Sequence, residues 1–141
     1  MCTYLFLAAD RPLPLVAWNE EKPEFHLGEC SEKEFPVIRK FLFGQFLYEV
    51  GSHMGCACAF SYGPDWENFN ERELQVWSTS REDFRQFVDY LQQALKIAGR
   101  IEIYSGEEYW FPPLVRRTIT IEEILGERFD FNEREYLMMK S

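Results

Sequence analysis

Basic residues are scarce in this chain, with 15 Lys and Arg against 24 Asp and Glu and a formal charge of −9. Nucleic-acid binding depends on Lys and Arg neutralising phosphates, so this balance argues against nucleic acid as a partner. The carboxylates are scattered, as on a solvated surface, rather than gathered in blocks. Long apolar runs are missing too. The run from Thr3 to Ala9 has no positive flank before it and is far too short to span a bilayer, and no later segment reaches membrane length. The expectation is a cytoplasmic protein with no membrane partner, its four cysteines reduced and no structural disulfide. Phosphate loops, dinucleotide fingerprints, Gly-x-Ser-x-Gly elbows and His-Glu-x-x-His motifs are all absent. There are no internal repeats, low-complexity segments or linkers, so residues 1–141 read as one domain. Hydrophobic residues at 46%, including 17% aromatics, suffice for a packed core without disulfide or metal staples.

Strand-like runs crowd the first third: Thr3 to Ala9, Leu13 to Trp18 and Phe25 to Leu27. Ser31 and Glu34 have capping-box spacing, and Pro36 is acceptable as a first helical residue. A short helix over 36–43 is therefore predicted, with Ile38, Phe41 and Leu42 as its apolar stripe and Gly44 as its stop. Gln45 to Val50 and Met54 to Tyr62 read as strands around a Gly51-Ser52 turn, and 66–77 shows no clear period. Phe84, Phe87, Val88, Leu91, Ala94, Leu95 and Ala98 recur at helical spacing up to Gly99, with Ser80 and Asp83 as candidate caps. This predicts a long amphipathic helix over about 81–98. Strands at Ile101 to Tyr104, Val115 to Ile119 and Tyr136 to Met139 and a short helix at 121–125 complete the reading. The fold class is α+β, a mostly antiparallel twisted sheet covered by the long helix.

Chemistry is concentrated in Gly51-Ser52-His53-Met54-Gly55-Cys56-Ala57-Cys58-Ala59-Phe60. Thiols and imidazole are the usual groups for metal ligation, redox exchange and nucleophilic attack. On a regular strand Cys56 and Cys58 share a face with their Cβ atoms roughly 6–7 Å apart, too far for a disulfide, and His53 points the other way. A Zn²⁺ site on His53, Cys56 and Cys58 requires Gly55 to kink the chain and a fourth ligand from Cys2, Cys30 or His26. A thiol enzyme would use Cys56, Cys58 or Cys2, with His53 as the nearby base. The commoner use of such cysteines is as small buried hydrophobes, here beside Phe60. That use is the expectation, with no metal or other cofactor bound.

Three other features carry alternatives. The Met1-Cys2 start feeding straight into an apolar strand is similar to the beginning of N-terminal-nucleophile amidotransferases. The likeness covers a handful of residues. It implies Cys2 as nucleophile, its own amine as base, and two packed sheets between helix layers. Cys30 is expected to be a partly buried cysteine at a strand end, among Glu29, Glu32 and Glu34, and His26 a surface imidazole near Glu24. Trp66, Trp77, Tyr109 and Trp110 could line a ligand site, although aromatics first supply core area. With no complete catalytic constellation in view, the function expected is a binding or interaction module without catalysis, its partner an unknown protein or small molecule. The thiol or zinc enzyme is the alternative.

Overall fold

The structure, a computed structural model, describes residues 3–61, 66–106, 112–125, 129, 131 and 134–141, apart from the side chains of Ser61 and Trp66. Six strands form one sheet: β1 (Tyr4–Ala9), β2 (His26–Glu29), β3 (Phe46–Gly51), β4 (Arg100–Gly106), β5 (Val115–Thr118) and β6 (Glu135–Lys140). Their spatial order is β2-β3-β1-β4-β6-β5. All neighbours pair antiparallel except β5 and β6, which run parallel with Arg117 opposite Leu137. The class is α+β, as the sequence predicts. The two packed sheets implied by the amidotransferase likeness are not found among the described residues, whose strands form this single sheet.

Alternation along the central strands sorts side chains onto two cores. Leu5, Leu7 and Ala9 of β1, with Ile101 and Ile103 of β4 and Leu137 and Met139 of β6, face the long helix α1 (Glu71–Ala98). That helix meets them with Phe84, Phe87, Val88, Leu91, Ala94, Leu95 and Ala98, the stripe read from spacing. Phe6, Ala8, Leu47, Tyr104 and Tyr136 project to the opposite face, where Phe35, Ile38, Phe41 and Leu42 from the β2–β3 connection cover them. The buried carboxylate of Glu102 on β4 fastens this connection. It accepts the N–H groups of Phe43 at 3.2 Å and Gly44 at 2.6 Å, and the Tyr136 hydroxyl at 2.7 Å. Any side chain at position 44 would come within 2.7 Å of the Ala9 nitrogen, which is why glycine stands there.

Five local expectations are corrected. α1 begins ten residues earlier than position 81, capped by Asn70, whose side chain accepts the Glu73 N–H at 2.8 Å in a reciprocal capping box. Residues 71–79 are mostly exposed, so that stretch carries no apolar stripe to betray the helix. Ser80 is no cap: its hydroxyl donates to the Val76 carbonyl at 2.9 Å in mid-helix. The helix predicted over 36–43 is a single 3-10 turn, Ile38–Lys40, although its apolar stripe is buried as expected. A tight turn on the Ser31 carbonyl, which takes the N–H groups of Glu34 and Phe35, precedes it. Leu13 to Trp18 supplies only a bridge between Val16 and Leu27, since Pro12 and Pro14 remove ladder donors. The predicted strand from Met54 is instead a tight turn followed by the 3-10 helix Cys58–Ser61. The last predicted helix is α2 (Ile121–Ile124), capped by Thr120.

Candidate functional site

The loop after β3 is shaped by two glycines and one serine. Gly51 pairs with His26 across β2 and lies beneath its imidazole ring, where any side chain would collide. The Ser52 N–H donates to the Cys56 carbonyl at 2.9 Å, and its hydroxyl donates to the same oxygen at 2.6 Å. That hydroxyl also accepts the Met54 N–H at 3.2 Å, while the Gly55 N–H returns to the Ser52 carbonyl at 3.0 Å. Gly55 sits at φ +86°, a conformation that glycine adopts without penalty. The chain therefore folds back on itself instead of extending, and the strand geometry assumed for Cys56 and Cys58 does not apply.

The two cysteines converge. The Cys56 thiol donates to the Cys58 sulfur at 3.0 Å, and the Thr3 backbone N–H donates to the same sulfur at 3.2 Å. Both cysteines are part-exposed, whereas their neighbours Ala57, Ala59 and Phe60 are buried, with the Phe60 ring 5.4 Å from Phe87. Burial is thus complete at the alanines and partial at the two cysteines. Two donors aimed at one sulfur stabilise negative charge on Cys58. The Ala57 N–H donates to the Thr3 carbonyl at 3.3 Å, so the cysteine loop grips both backbone groups of the residue that leads into β1.

His53 is anchored to α1 by a residue the sequence reading placed only as a cap. Asp83, 2% exposed, accepts the His53 backbone N–H at 3.0 Å and the ring Nδ1 on one carboxylate oxygen. A carboxylate buried in a helix–sheet core requires such donors. Because it can only accept, Nδ1 carries the proton, and a neutral His53 presents its lone pair at Nε2. The signal for Asp83 lay in its phase: it shares the core-facing stripe with Ser80, Phe87 and Leu91, where an uncompensated charge has no place.

The remaining candidates are dispersed. Cys30 follows β2, and burial, then Glu49 and Glu34, push its thiol up to about 12. It is therefore protonated near neutrality. His26 Nδ1 lies 3.2 Å from the Glu24 carbonyl and the ring stacks edge-on against Trp18 at 4.7 Å. Trp77 borders a cleft on α1 with Arg81 and Arg85, and the same arginines line a smaller one of about 190 Å³ that reaches Leu125. Trp66 opens the 3-10 turn Trp66–Asn68. Its side chain, together with Cys2, Tyr109 and Trp110, lies outside the described residues. Among the described residues no group of three or more His, Cys, Asp and Glu is placed to hold a metal ion, and none of the helices is long and apolar enough to cross a membrane. Compared with known proteins, the sequence matches no family model, no curated protein and no solved structure.

Proposed function

We propose that this is a thiol-active protein whose Cys56 and Cys58 cycle between dithiol and disulfide by exchange with a disulfide-bearing partner. The observation that carries this reading is the Cys56–Cys58 contact of 3.0 Å, with the Thr3 N–H directed at Cys58. In the forward direction Cys58, as thiolate, attacks one sulfur of the partner disulfide and expels the other as a thiolate. Cys56 then gives up its proton, attacks Cys58 and releases the second partner thiol. One partner disulfide is reduced to two thiols while two protein thiols become one disulfide, so atoms and electrons balance. The Cys56 proton passes to solvent, while His53, on the same loop, is held to α1 by Asp83 and fixes the loop's position.

This reading is preferred to the non-catalytic binding role because the chain places two part-exposed thiols on a short hydrogen-bonded loop, where burial would have sufficed for packing. Reaction of the reduced protein with a chromogenic aromatic disulfide tests it. Cys58→Ser should slow the fast phase by more than about tenfold, while Cys30→Ser leaves it unchanged. If all thiols react no faster than a small-molecule thiol at neutral pH, the binding role takes its place.

A further inference from the structure

The cysteine loop also gathers a different chemistry. Met54, between His53 and Cys56, is 53% exposed, which places a thioether at the surface of the turn that carries the two thiols. Soft sulfur donors select soft d¹⁰ cations over hard ones. Zn²⁺ in a structural site takes four ligands, and the described residues offer no cluster of three from His, Cys, Asp and Glu. Cuprous ion is satisfied by two thiolates, with a thioether as an optional third donor. The sulfurs of Cys56 and Cys58 lie 3.0 Å apart and need to part by roughly 1 Å to flank one ion at ordinary metal–sulfur bond lengths, a side-chain adjustment on a loop already held by the Ser52 hydroxyl and by the Thr3 carbonyl.

We propose that Cys56 and Cys58 form a binding site for one cuprous ion, to which the thioether of Met54, from the same loop, adds a third donor. The inference rests on the same reading of the two thiols as accessible and mutually poised. Binding exchanges two S–H protons for one Cu⁺, leaves the oxidation state of sulfur and metal unchanged and gives a complex of net charge −1. The Thr3 N–H, which now donates to Cys58, is placed to stabilise that charge. While the ion is bound both sulfurs are engaged, so copper and disulfide exchange exclude one another at this loop.

The test is an anaerobic titration of the full-length reduced protein with Cu⁺ against a chromogenic cuprous chelator. The wild type should withdraw one equivalent. Cys56→Ser and Cys58→Ser should each weaken retention by at least about 100-fold, the upper end of what loss of an outer-shell partner does, and Cys30→Ser should match the wild type. Thermal midpoints of the metal-free variants verify folding. Should Cys58→Ser not fold, reversible methylthiolation of the wild-type pair replaces it and should abolish uptake. Failure to withdraw copper, retention undiminished in either cysteine variant, or Zn²⁺ bound as tightly as Cu⁺ would overturn the proposal. Disulfide formation is scored by mass on copper-free portions of the same preparations after equilibration with oxidised glutathione, which supplies the oxidant. A disulfide without copper uptake sinks this inference alone, and copper uptake without a disulfide sinks the exchange reading alone.

Discussion

At the scale of single residues, the molecule uses ionisable groups in three distinct ways. Glu102 and Asp83 are buried carboxylates paid for by donors, and each fastens a connection to an element far away in sequence. Cys30 is an inert thiol, held up at about 12 mainly by burial and then by Glu49 and Glu34. Glu49 itself is raised, by burial first and Glu34 second, with His26 opposing. A carboxyl group raised in the folded state favours folding most when protonated. Its contribution is fully present below the ordinary carboxylate range and is lost as pH rises through the raised value. Glu49→Gln should therefore be more stable than wild type at neutral pH, by no more than about 0.5 kcal/mol because solvent screens a partly exposed group. The gap should close below about pH 4. Urea midpoints at the two pH values check this, and a gap that widens on acidification contradicts the sign.

At the scale of elements, α1 is the scaffold for both the core and the loop. Leu91 is fully buried between the helix and the sheet. Leu91→Asp places an unpaired charge there, with an expected cost of at least about 4 kcal/mol, and an unchanged denaturation midpoint would refute the helix–sheet packing. The C-terminal half of α1 was legible because its apolar residues repeat at helical spacing and Gly99 stops it in a left-handed conformation. The first ten residues were not, since an exposed helical segment has no stripe, and Asn70 with Glu73 was the signal that went unread. The strands were legible as short β-prone apolar runs, above all β1 and β3, and from alternation in β4. Met54 to Tyr62 misled because Cys56, Cys58 and Phe60 alternate with small residues, a pattern that a turn through Gly55 followed by a 3-10 turn reproduces. That one misreading hid the site: on a strand the sulfurs diverge, whereas on the turn they meet. The residues themselves, His53, Cys56 and Cys58, were visible from composition. Asp83 and Thr3 were not, because their roles arise from contacts 30 and 55 residues away in sequence.

At the scale of the whole molecule, topology brings these distant pieces together. β1 lies between β3 and β4, so Thr3 at its start meets the loop that leaves the end of β3 antiparallel to it. α1 crosses the same face of the sheet, which carries Asp83 to His53 and Phe87 to Phe60. The loop is thus anchored to a central strand on one side and to the longest helix on the other, a placement suited to a site that needs fixed geometry more than mobility. The most direct test of the exchange account is equilibration of the protein across a series of glutathione redox buffers, followed by acid quenching, differential alkylation and peptide mapping. The account predicts a single reversible two-electron transition in which Cys56 and Cys58 become linked while Cys30 stays reduced throughout. If instead the pair remains reduced at every poise, or ends as separate glutathione adducts without an internal bond, the account is wrong.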